Sequence, residues 1–69
     1  MLCVSSFNVI LGNGEKQITI QSNTNIYSEN LSIINKYVLD LGGALVDRNT
    51  ARFISEEAFM EFANKLLNF

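Results

Sequence analysis

Residues 6–22 read SFNVILGNGEKQITIQS, two alternating runs around the dipeptide Asn13-Gly14. Asn-Gly between alternating apolar residues is the strongest short-range signal for a β-hairpin. A two-residue type I′ turn there pairs Gly12 with Glu15 and Leu11 with Lys16. The same register sets Val9 opposite Ile18 and Phe7 opposite Ile20 on one face. Asn8 with Thr19, and Ile10 with Gln17, fall on the other. A slip of one residue would move every apolar side chain to the wrong face, so turn and pattern specify one register. Ahead of the hairpin, Leu2, Cys3 and Val4 lengthen the first strand. A strand so apolar is expected inside a sheet, or at an edge that waits for another chain.

Working outward, SNTNIYSEN (22–30) is a polar connection in which Asn25 or Ser28 can cap a helix. Tyr27, Leu31, Ile34, Val38 and Leu41 then recur at helical spacing, with Ile33 and Tyr37 widening the stripe. Gly42 is a natural residue to close that helix in left-handed geometry. The pair Gly42-Gly43 fits neither GxxxxGK[ST] nor GxGxxG, so it reads as a helix stop and not as a phosphate loop. ALVDRNTARFI (44–54) reads as a second, shorter hairpin with two candidate tips. A tip at Arg48-Asn49 sets Val46 beside Ala51 and Ala44 beside Phe53. A tip at Asn49-Thr50 sets Val46 beside Phe53 and Asp47 beside Arg52. Asn49 tolerates positive φ, which leaves both open.

Ser55 caps a last helix, with Glu56 and Glu57 in its first turn where the helix dipole favours them. Ile54 before the cap and Phe59 inside the helix are spaced for a hydrophobic staple. Phe59, Phe62, Ala63, Leu66 and Phe69 form its apolar stripe, while Glu61 and Lys65 sit at i,i+4 on the wet side. The expected fold is α+β: one domain, residues 1–69, made of a ββα unit over 1–42 and a second over 43–69. Its expected form is ββαββα, a four-stranded antiparallel sheet with two helices on one face.

Composition narrows the function. The 69 residues are 48% hydrophobic and 17% charged, with a net charge of −2 from seven acids and five bases. That suits a folded chain; it is too mild for a DNA mimic and of the wrong sign for a nucleic-acid sponge. So short a chain buries only roughly 60% of its unfolded surface, and small scaffolds usually need a staple or a partner. Cys3 is the lone cysteine and there is no histidine, so neither an internal disulfide nor a Cys/His zinc site is expected. Added stability is expected from self-association, as a homodimer, or from a partner protein. The start, MLCVSSFNVIL, has no basic leader region and no apolar run of about 20 residues. The expected location is the cytoplasm, with no membrane contact, and a single free thiol agrees with a reducing compartment.

Catalytic residues, cofactors and metals are not expected. A nucleophile needs a base beside it, and Cys3 lies in an apolar strand where thiols are inert. Glu56, Glu57 and Glu61 stand where exposure and helix polarity place them. Arg48, Asn49 and Arg52 at a hairpin tip could touch phosphate, and a dimer would double the basic count. LDLGGALVD (39–47) is similar over nine residues to the LAGLIDADG motif of homing endonucleases, whose domains also carry ββαββα. There the motif is the first helix and ends in a metal-binding acid. Here Leu39 to Asp47 spans a helix end, a turn and a strand, so the assignment is rejected.

The remaining signal is apolar. If Phe7, Val9 and Ile18 face the helices, then Leu2, Val4 and Ile10 face away, and Leu45 joins them when the tip is Arg48-Asn49. Burying four such side chains contributes on the order of 4–8 kcal/mol after allowance for partial burial, a decisive amount for a small core. A contiguous set marks an interface. The expected function is a small non-enzymatic protein-binding protein, an inhibitor or adaptor that occupies a surface of a larger protein. Nine asparagines and no proline suggest a phage or mobile-element source. The alternative is a small dimeric nucleic-acid binder using the Arg48/Arg52 hairpin.

Overall fold

Residues 5–69 are described by a computed structural model; Leu2, Cys3 and Val4 lie outside the described residues. The elements run β1 Ser5–Leu11, β2 Lys16–Ser22, α1 Ile26–Glu29, α2 Leu31–Asp40, β3 Ala44–Asp47, β4 Thr50–Phe53 and α3 Glu56–Leu67. The order ββαββα holds, with the first helix divided. In the first hairpin Phe7 pairs with Ile20, Val9 with Ile18 and Leu11 with Lys16, as the alternation requires. The turn differs from the expected type I′. Positive φ falls on Gly12 and Gly14 and not on Asn13, and the amides of Gly14 and Glu15 both donate to the Leu11 carbonyl. A longer glycine-bracketed loop thus carries the same register, because the register is held by burial of Phe7, Val9 and Ile20.

The sheet order is β2-β1-β4-β3. Both hairpins are antiparallel, but β1 and β4 meet in parallel, pairing Asn8 with Thr50, Val9 with Ala51 and Leu11 with Phe53. The sheet is mixed, which corrects the all-antiparallel expectation. Phe7, Val9, Leu11, Ala51 and Phe53 are all buried, so each hairpin gives its more buried strand to the seam. Period-2 patterning carries no strand direction, and the long connection through β2, the helices and β3 is ample for a parallel crossover.

The expected helix from Tyr27 to Leu41 breaks at Asn30. Its Nδ2 donates to the Ile26 carbonyl at 2.7 Å, ending α1, and its own carbonyl accepts from the Ile34 amide to start α2. An asparagine side chain that competes for helix carbonyls does this readily. Asn25 holds the N-cap position without a side-chain cap bond, while the Ser28 hydroxyl donates to the Asn25 carbonyl. At the far end Gly42 takes φ +77, and the Gly42 and Gly43 amides bond the carbonyls of Leu39 and Val38, a complete Schellman closure.

One core lies between the inner sheet face and the helices. Phe62 of α3 packs 5.7 Å from the Phe7 ring and 5.0 Å from the Phe53 ring, centroid to centroid. Tyr27 sets its ring edge on Phe7 at 5.9 Å, and burial pushes its phenol pKa up from the ordinary value. Ile34 and Val38 bring α2 into the same cluster. The Ser55 hydroxyl accepts from the Ala58 amide, capping α3 as its sequence requires.

The second hairpin turns at Arg48-Asn49, where Asp47 pairs with Thr50. The Asp47 carboxylate accepts the Asn49 amide at 3.0 Å. A bulge then intervenes, so that Leu45 pairs with Ala51 and Ala44 with Arg52. One extra residue on β3 inverts the parity beyond it. Leu45 is therefore turned inward against the core and not outward, which corrects its assignment to the outer face. Ile54 differs too: it is 88% exposed and forms no staple with the fully buried Phe59.

Candidate functional site

Among the described residues no helix packs on the outer sheet face. Its rows follow from the strand pairings: Gln17, Ile10, Arg52 and Ala44 across the middle, and Thr19, Asn8 and Thr50 beside them. The Thr19 hydroxyl donates to the Asn8 carboxamide oxygen at 2.8 Å. Most of this face is polar, and Ile10 is half-buried among those neighbours. Ile10 faces outward, as the parity of β1 requires, and the parallel seam sets Arg52 beside it on one cross-strand row.

At the β3 end of that row the apolar residues gather. Gly42, Gly43, Ala44, Val46, Arg52 and Ile54 line a shallow groove of about 170 Å³. Val46 is 52% exposed and Ile54 88%. Isolated exposed apolar side chains are ordinary, but two β-branched ones flanking an arginine form a patch. Within the described residues the only ion pair joins Lys16 and Glu56 at 3.3 Å, so the Arg52 guanidinium is uncommitted.

Two of these positions escaped sequence reasoning. Either candidate register of the second hairpin gives Val46 a ladder partner, whereas the bulge pushes it out. The spacing to Phe59 points Ile54 to a staple, yet the alternation Arg52–Ile54 read straight through β4 puts it on the outer face. That parity was the available signal.

The arginine cluster does not assemble. Arg48 and Asn49 belong to the hairpin tip, which lines a separate cleft of about 330 Å³ with Ser5, Ser6, Tyr27, Ser28 and Leu31. The Asn49 carbonyl accepts the Asn8 amide at 2.7 Å, tying the tip to β1. From Asn49, Arg52 lies three residues along the strand, roughly 10 Å away at about 3.3 Å per residue, and it lines the other groove. Among the described residues no group of acidic or cysteine side chains is placed to hold a metal ion, and no helix is long and apolar enough to cross a membrane.

Comparison with protein families, with curated proteins and with solved structures finds no match to this chain.

Proposed function

We propose that the chain is a small non-enzymatic protein-binding domain, self-associating and cytoplasmic, that acts as an inhibitor or adaptor by occupying a surface of a larger protein. Its composition favours a phage or mobile-element origin. The observation that carries the reading is the groove in which exposed Val46 and Ile54 flank Arg52, which makes no ion pair among the described residues. Interface hot spots are enriched in arginine, ringed by contacts that exclude water. The complementary surface is an apolar ridge bearing a carboxylate, which would take the guanidinium in a charge-assisted bond.

A photo-crosslinking residue at position 54 tests this in the source cell, with position 64 on the far side of α3 as control. The expected result is one dominant adduct from 54, absent from 64 and lost on Arg52→Ala with unchanged circular dichroism. Equal labelling from both positions would refute it. The nucleic-acid alternative rests on Arg48 and Arg52, and it requires binding that weakens steeply with salt and disappears in Arg48→Ala/Arg52→Ala.

A further inference from the structure

The sheet has two edges, and they are built differently. Edge β3 is four residues long, bulged, and ends in Asp47 and Arg48, devices that discourage strand addition. Edge β2 is longer and unbulged: it runs seven residues in regular register, and beyond its first residue, Lys16, it carries no charge from Gln17 to Ser22. Its centre reads Gln17-Ile18-Thr19-Ile20-Gln21, a palindrome about Thr19. A two-fold axis makes a surface meet itself, and a strand that reads the same in both directions suits it.

We propose that β2 pairs antiparallel with β2 of a second copy about a two-fold axis at Thr19, joining two sheets into one of eight strands. The backbone directions favour this register. The Asn8 and Gly12 amides point to β4, so the odd-numbered residues of β1 bond to β2. Phe7, Val9 and Leu11 pair with Ile20, Ile18 and Lys16, which leaves the amides and carbonyls of Gln17, Thr19 and Gln21 directed outward. Pairing about Thr19 then sets Thr19 opposite Thr19 and Gln17 opposite Gln21, giving three narrow pairs and about six hydrogen bonds. Ile18 falls opposite Ile20 in the wide pairs, where side chains approach most closely, on the face toward the helices. Lys16 meets Ser22, so no like charges oppose each other.

The helix above supplies the apolar cover. Glu56 at the start of α3 bonds Lys16 at the start of β2, and Leu67 at its end shares a groove with Ile20, Gln21 and Ser22. α3 therefore runs along β2, with Met60 on the same flank between them. Met60 is 45% exposed and Leu67 67%. The two-fold axis brings this flank of each copy toward the other, above the joined strands. A seven-residue strand pair is smaller than a stable interface, and this apolar cover enlarges it.

The inference rests on the self-association in the proposed function, and it leaves the Val46–Ile54 groove free. Sedimentation equilibrium on wild type, Thr19→Lys and Thr19→Glu tests it, with circular dichroism as the folding control. Wild type should be a dimer. Each variant alone sets like charges on the axis and should raise the dissociation constant about tenfold or more. An equimolar mixture of the two should restore the dimer, a result only a residue opposite itself can give. As a second readout, Thr19→Cys in a Cys3→Ser background should form a disulfide-linked dimer, because narrow pairs hold Cα atoms about 5.5 Å apart. A dimer indifferent to charge at position 19 and not crosslinked from it would overturn the β2 pairing and leave self-association standing. A monomer at all concentrations would overturn both.

Discussion

Adding one methyl group at Gly43 separates two reasons for a glycine that stand side by side. A Cβ at Gly43 would lie 2.5 Å from Cε1 of Phe53 and 2.8 Å from the Arg52 carbonyl oxygen. Neither neighbour can give. The Phe53 ring is fully buried against Phe62, and the second contact is backbone of a paired strand. Overpacking costs about 1–3 kcal/mol, and alanine recovers about 0.4–1 kcal/mol through the unfolded chain. With both contacts rigid the upper part of the range applies, and Gly43→Ala should lose about 2 kcal/mol. For a chain of this size that lowers Tm by about 8–16 °C. Gly42 has the opposite constraint, φ +77 with nothing near a Cβ. Gly42→Ala should cost about 1 kcal/mol through left-handed strain, and Gly42→Asn less. Urea titrations followed by circular dichroism measure all of these, with Gly43→Asn as the cross-check. A Gly43→Ala protein within about 0.5 kcal/mol of wild type, or asparagine tolerated at 43 and not at 42, would refute the reasoning.

Leu45→Asp should cost about 1–3 kcal/mol, because it turns a charge inward, whereas Ile54→Asp should change stability by less than about 0.5 kcal/mol. The same titrations compare them, and the reverse order would sink the bulge-derived facing. Ser55→Ala should cost about 1 kcal/mol by freeing the Ala58 amide, with Ser55→Asp retaining the cap. Burial raises the Tyr27 phenol pKa, so the folded chain holds a proton that the unfolded chain releases near pH 10. Stability from this group is complete below that pH and is lost as pH rises through the folded value. Denaturant midpoints taken up to about pH 12 should fall less steeply in Tyr27→Phe, and identical slopes would assign the alkaline loss elsewhere.

The register of the first hairpin was legible to the residue, because Phe7, Val9, Ile18 and Ile20 leave one parity that buries them, whereas its turn type was not. The Ser55 cap and the Gly42 closure were legible because each is a local backbone requirement written in one residue type. What escaped was non-local or a matter of one inserted residue. The parallel seam joins strands far apart in the chain, and alternation is blind to direction. The bulge beside Val46 has no distinctive residue, yet it inverts Leu45 and exposes Val46. Of the expected interaction residues, Ile10 was legible as outward-facing from the parity of β1, whereas its pairing with Arg52 depends on the seam. Arg48 and Asn49 are close to Arg52 in sequence, but they line a different cleft.

The parallel seam also sets when the domain can form. Each seam pair joins residues about 40 positions apart, so the core closes only after a long loop has been organised. Either hairpin alone is marginal in water. During synthesis the first hairpin must therefore wait, its Phe7–Ile20 face uncovered, until Phe53 and the α3 aromatics have emerged. Val9→Ala, at the seam, should then slow refolding in stopped-flow experiments, while Leu66→Ala, at the end of α3, should mainly speed unfolding.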